Sequence, residues 1–369
     1  MIRRLSLLSL LTLSDSLLPP TAPARATTAL HAGGGVSVLQ RKAIEAQAKK
    51  FREGLEAGDP IKVALDAAAD GGLEGRSREG FGEVHRRLKR AKRGALGVVA
   101  EYHTTTPAAL KANGIAEYEI PDVSLVSNEI RGAGAGVMAL NMDRVGGDCD
   151  GDDFARARAE QASAAEDFPG PVPLVWMDTI VDEVQLAQAY AAGAAAVTLG
   201  LETVGTEKCA ALRALAEERY GLEAMVVCAP RSAGAEGLAP LMTAAVDDVG
   251  ATLVVVGGVD YAVAVEARPT IDREDVVVVA RVDAKDDQGL EEAEEAWKLR
   301  DAGYDAVWIS DVLYKFGVFS GTLFAASPDT ITSVIKAMKS KASVKYARAS
   351  GAFSGKGEGA KEYLGDIMM

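Results

Sequence analysis

Ala192-Gly193-Ala-Ala-Ala-Val197 is the stretch whose reading decides the fold. An alanine-rich helical segment ends, a glycine follows, and an apolar run begins. Glycine supplies the left-handed residue that closes a helix without a Cβ clash. The same order of helix end, glycine and strand start recurs at Ala133-Gly134-Ala-Gly-Val137, Val249-Gly250-Ala-Thr-Leu-Val254 and Ala302-Gly303-Tyr-Asp-Ala-Val307. The junctions mark a chain of repeated helix-to-strand units.

Working outward, apolar runs rich in Val, Leu and Ala fall at 96–100, 136–140, 172–176, 195–199, 223–228, 252–256, 275–280 and 305–309. They are continuous rather than alternating, as strands covered on both faces require. Helical segments separate them, most clearly at 178–192, 206–220, 237–249 and 290–302. Eight such units in residues 94–339 predict an α/β fold, a closed (β/α)₈ TIM barrel, better than an open sheet. Gly132-Ala-Gly-Ala-Gly136 imitates a dinucleotide loop, but it closes a helix and opens a strand, the reverse of that fingerprint. No cofactor is therefore expected.

Upstream, residues 36–55 predict a helix through Val38, Leu39, Ala43, Ile44, Ala48, Phe51 and Leu55. After a Gly-rich connection at 70–75, a basic amphipathic helix is expected at 78–93, with Phe81, Val84, Leu88 and Ala91 on one face. Its basic side is expected to be a solvated face over the barrel. Residues 36–93 thus form a helical extension. Residues 340–369, with Lys341, Lys345, Arg348 and glycines at 351, 355, 357 and 359, read as a flexible tail.

Residues 1–35 have a different character. Arg3 and Arg4 precede the apolar run from Leu5 to Leu13, and a Pro/Ala/Thr/Arg stretch with small-residue sites such as Ala22-Pro-Ala24 follows. This is the layout of a cleavable leader, and the run is too short to span a bilayer. Asp15 is the only acid before Glu45, and the segment resembles the two-part leaders of plastid proteins in algae with complex plastids. Plain secretion is the alternative, and the absence of a disulfide pattern disfavours it.

Net charge is −13, from 40 basic and 53 acidic residues, which excludes a general nucleic-acid binder. Cys149, Cys209 and Cys228, with His31, His85 and His103, are too scattered for a disulfide framework or a zinc site. No metal is expected.

Chemistry in such a barrel projects from the C-terminal strand ends. After the first strand comes Val99-Ala-Glu101-Tyr-His103-Thr-Thr-Thr-Pro107. After the third comes Pro173-Leu-Val-Trp-Met177-Asp178-Thr-Ile-Val-Asp182-Glu-Val-Gln185-Leu. These segments resemble indole-3-glycerol phosphate synthase, a tryptophan-pathway lyase with extra N-terminal helices. The family carries Ala-Glu-(Val/Ile)-Lys-x-x-Ser-Pro-Ser at the first strand and Pro-Val-Leu-Arg-Lys-Asp-Phe-Ile-Ile-Asp-x-x-Gln-Ile at the third. Pro173, Asp178, Ile180, Asp182 and Gln185 align without a gap, and the resemblance covers residues 36–339.

The resemblance implies a barrel of the phosphate-binding, ribulose-phosphate type and places the family's catalytic groups on this chain. The first-strand glutamate is retained as Glu101. The substrate-positioning lysine is His103. The general-acid lysine is Met177, and the fifth-strand glutamate is Val227. The sixth-strand asparagine falls near Gly257-Gly258, the seventh-strand Glu-Ser-Gly on Arg281-Val282-Asp283, and the phosphate loop on Ser310-Asp311-Val312. Thr104, Thr105, Gly257, Gly258, Arg281 and Ser310 are the ligand-binding candidates. Arg281 could replace lost phosphate contacts, and Asp311 would oppose an anion.

Structural roles stand beside each of these. Glu101 also reads as a polar mouth residue, His103 as a surface or hydrogen-bonded histidine, and Asp178 and Asp182 as residues that cap or orient the next helix. Arg281, Asp283, Lys285, Asp286 and Asp287 read as a salt-bridged loop, and Trp176 and Trp308 as packing. Methionine and valine transfer no protons. Three functions remain open: an active indole-3-glycerol phosphate synthase, another enzyme on the same barrel, or a pseudoenzyme in the plastid. The last would bind a phosphorylated small molecule or a plastid protein partner.

Overall fold

The computed structural model describes residues 37–340 apart from 90–93, 113–114, 116, 119, 144–147, 231–234, 286–290 and 316–327. The expected leader and all but the first residue of the expected tail lie outside the described residues, as do Ala91, Asp286 and Asp287.

Eight parallel strands close a barrel in sequence order. They are β1 (Gly97–Tyr102), β2 (Val137–Asn141), β3 (Leu174–Met177), β4 (Ala196–Gly200), β5 (Glu223–Cys228), β6 (Leu253–Val256), β7 (Val277–Val282) and β8 (Ala306–Ile309). Closure comes where β1 meets β8, with Val99 opposite Trp308. Each lies within about two residues of its expected run.

The helices are α1 (Val38–Glu53), α2 (Pro60–Ala69), α3 (Glu83–Leu88), α4 (Ala108–Ala112), α5 (Val123–Gly132), α6 (Gly151–Ser163) and α7 (Glu183–Ala192). They continue with α8 (Leu201–Val204), α9 (Thr206–Ala214), α10 (Ala235–Asp247), α11 (Tyr261–Ala267), α12 (Glu291–Ala302), α13 (Val312–Lys315) and α14 (Pro328–Lys339). The junction glycines adopt the left-handed geometry expected of them, with Gly193 at φ 85° and Gly303 at φ 103°.

Strand periodicity divides the core in two. Val99, Val137, Ala139, Val175, Met177, Met225, Val255, Val279 and Trp308 fill the lumen. The alternate residues, such as Val98, Leu140, Trp176, Val226 and Ile309, pack outward under the helices.

Two expectations change. The helix placed at 178–192 starts at Glu183, because Asp182 is its N-cap and forms a capping box with Gln185. Of the two acids expected to cap or orient this helix, Asp182 caps and Asp178 orients, its Oδ2 accepting from Gln185 Nε2 at 2.9 Å. Among its described residues the segment at 78–93 is helical over α3, and it is not a helix merely laid over the barrel. Val84 and Leu88 are buried against the lumen residues, so α3 plugs the N-terminal end. Glu223, at the start of β5, caps this short helix by accepting from Val84 N–H at 2.7 Å and His85 N–H at 2.9 Å.

Candidate functional site

The C-terminal ends of β7, β8 and β1 hold a buried polar network. Glu101 shares the inward parity of Val99, and its side chain is wholly buried. Its Oε2 accepts from Trp308 Nε1 at 2.8 Å and lies 3.3 Å from Arg281 Nη2. Trp308 is therefore a lumen residue with a polar duty. Trp176 faces outward, with its ring 5.2 Å from that of Phe154, so the two tryptophans stand on opposite sides of the sheet.

His103 is 2% exposed, which removes the surface reading and keeps the hydrogen-bonded one. Its Nε2 lies 2.7 Å from Ser310 Oγ, and its Nδ1 lies 3.2 Å from Asp148 Oδ2. Its backbone N–H donates to Tyr314 Oη at 3.0 Å, and that hydroxyl donates to the Glu101 carbonyl at 3.1 Å. Glu101 Oε1 and Asp311 Oδ1 stand 3.6 and 3.9 Å from Nε2. Burial disfavours the imidazolium, but the Asp148 hydrogen bond and the Glu101, Asp148 and Asp311 carboxylates outweigh it, pushing the pKa up to about 9. Burial works against the Asp148 carboxylate too. Contacts with His103 and the Thr104 and Thr105 N–H groups nonetheless hold its pKa below the usual range.

Arg281 belongs to this network, and of its expected loop partners Asp283 pairs with it. Its side chain, 12% exposed, lies between Glu101 and Asp283, the latter 3.6 Å away. Lys285 pairs instead with Glu295. A Cβ on Gly257 would meet Arg281 Cδ at 3.3 Å, so this glycine leaves room for the arginine stem. Thr104 is used internally as well, donating its N–H to Asp148 Oδ2 and its hydroxyl to the Asp148 carbonyl at 2.8 and 2.7 Å. Thr105 is exposed, and Gly258 sits at φ 68°.

The opposite arc differs. Met177 is 5% exposed among lumen hydrophobics, and Val227 is half-buried against the same cluster. A pocket of about 30 Å³, room for one or two waters, lies between α1 and the ends of β2 and β3. Gln47, Phe51, Asp143, Asp178, Gln185 and Gln188 line it.

Thus the structure brings Glu101, His103, Arg281 and Ser310 together and leaves Met177 and Val227 in an apolar wall. Asp148 and Tyr314 escaped the sequence reading. The available signal was position, since each follows a strand end, but nothing in their spacing ties them to His103.

No protein-family model matches the chain, and no curated protein matches it. Among solved structures the chain is similar to two archaeal fructose-1,6-bisphosphate aldolases, one with its catalytic lysine covalently bound to the carbinolamine intermediate of the substrate. The identities are 15% and 17% respectively. In both cases the match covers 70% of this chain and 97% of the aldolase, with a TM-score of 0.44.

Proposed function

We propose that this protein is a barrel of indole-3-glycerol phosphate synthase ancestry that has lost ring closure and decarboxylation and now acts by binding, in the plastid. The observation that carries this reading is Met177. It occupies the position of the general-acid lysine and packs among lumen hydrophobics. A thioether cannot protonate a substrate oxygen, and Val227 cannot replace a carboxylate. Glu101, the retained position, spends its carboxylate on Trp308 and Arg281.

The polar arc also disfavours a phosphorylated ligand. Among the described residues, four carboxyl groups, on Glu101, Asp148, Asp283 and Asp311, lie around two cationic groups, Arg281 and His103. Arg281 already faces two acids, and Ser310 Oγ lies 3.2 Å from Asp311 Oδ1. A plastid protein partner is the more economical occupant. A second reading, another enzyme on the same barrel, draws support from the convergence of Glu101, His103 and Arg281.

The test is an assay of the purified protein with the anilino-deoxyribulose phosphate substrate, following indole fluorescence, beside complementation of a tryptophan auxotroph. The expected result is no turnover and no growth. Turnover of ordinary enzymatic size, about 1 s⁻¹ or more, overturns the proposal and restores an active synthase.

A further inference from the structure

Ser310, His103 and Asp148 form a connected chain that a binding role does not require. Ser310 Oγ lies 2.7 Å from His103 Nε2, and Asp148 Oδ2 lies 3.2 Å from His103 Nδ1. The acid is fixed in turn by the Thr104 and Thr105 N–H groups at 2.8 and 3.4 Å. The imidazole stands edge-on to Tyr314, with centroids 5.5 Å apart and planes at 79°. The three residues follow three different strands, β8, β1 and β2. A hydroxyl, a base within hydrogen-bond reach and a third group orienting that base are the parts of nucleophilic acyl transfer, on whatever fold they occur.

The geometry points to Ser310 as the nucleophile of an acyl-transfer site for small carboxylic esters, with His103 as general base and Asp148 as the positioning residue. In the reaction, a bond forms from Ser310 Oγ to the ester carbonyl carbon and the bond to the leaving oxygen breaks. The serine proton passes to His103 Nε2 and then to the departing alkoxide. Water repeats the sequence on the acyl-serine, releasing the acid and restoring Ser310. Only a small acyl group suits a serine that is 2% exposed. The site goes beyond the binding reading and stands or falls independently of it.

The same heavy-atom distances serve two protonation states. As imidazolium, His103 donates to Ser310 Oγ, and the serine hydroxyl donates to Asp311 Oδ1 at 3.2 Å. Only the neutral ring accepts the serine proton. Among the described residues, the groups facing His103 are Glu101 from β1, Asp148 from the segment after β2, Ser310 and Asp311 after β8, and Tyr314 from α13, while Arg281 of β7 faces Glu101. With the pKa of His103 at about 9, reactivity rises as the solution becomes alkaline.

The test uses the full chain and a small alkyl fluorophosphonate. The Oγ–P bond forms, the P–F bond breaks, the proton goes to His103 and fluoride leaves. Peptide mapping is expected to find the adduct on Ser310, formed more than about tenfold faster at pH 9 than at pH 7, as a base with a pKa near 9 requires. Asp148→Asn is expected to move that pH profile to lower pH, a change that a merely structural role does not produce. Absence of an adduct on Ser310, a labelling rate that is flat with pH, or an unmoved profile in Asp148→Asn overturns the assignment.

Discussion

Around the C-terminal mouth, β7, β8 and β1 lead into Arg281, Ser310 and Glu101, whereas β3 and β5 present Met177 and Val227 at the same end of the barrel. Both arcs are largely withdrawn from solvent, but they solve that by opposite means. A buried charge is tolerable only when paired and hydrogen-bonded, so each polar residue in the first arc depends on the others. In the second arc no residue needs a particular partner, and shape alone decides the fit. The polar arc is therefore the coupled half of the mouth and the apolar arc the permissive half.

The strongest way to break that contrast is Arg281→Met. Glu101 would keep Trp308 but lose the guanidinium 3.3 Å away. Removing one partner of a buried pair costs about 3–5 kcal/mol, read as a lower urea midpoint at pH 7. Adding Glu101→Gln is expected to recover much of that loss. A single-variant loss below about 1 kcal/mol, the scale of an exposed pair, sinks the idea of a coupled arc.

Glu223 sharpens the comparison from the other end of the barrel. It is buried like Glu101, but backbone N–H groups rather than an arginine hold it. Burial, only partly offset by those hydrogen bonds, pushes its pKa up to about 7. A carboxyl whose folded pKa lies above the unfolded one favours folding while protonated. Its contribution is full below the usual carboxyl pKa near 4.5 and is lost as pH rises through about 7. At about 1.4 kcal/mol per pKa unit, the loss is on the order of 3 kcal/mol across that window. Urea titrations at pH 4.5, 6 and 7.5 should show the slope in the wild type and its flattening in Glu223→Gln. An identical slope in the two proteins assigns the pH dependence elsewhere.

The smallest effect belongs to the permissive arc. Met177→Leu conserves volume and polarity and is expected to cost about 1 kcal/mol or less, measured by thermal unfolding. A cost near that of Arg281→Met would erase the distinction between the arcs.

The legibility of the two arcs in the sequence also differs. Met177 and Val227 could be placed at strand ends because both sit in or beside apolar runs that resist any polar assignment. Arg281 and His103 could be located at strand ends, but not their burial. Exposure depends on which residues come from distant segments to cover them. Asp148 and Tyr314 lie 45 and 211 residues from His103. No local rule connects residues that far apart, so the Ser310–His103–Asp148 chain exists only once the barrel closes. The faces of α3 were legible, since Arg86 and Lys89 are exposed while Val84 and Leu88 are buried, but that its apolar face closes the lumen depends on the barrel around it.

By itself, then, the sequence determined the barrel. Glycine caps, continuous apolar runs and capping boxes are local signals, and eight units in order leave a parallel sheet little choice but to close. Tertiary structure alone decided which charges became partners. Pairing energies depend on distance and on exclusion of water, and both are set where strands β7, β8 and β1 meet at the closure of the barrel.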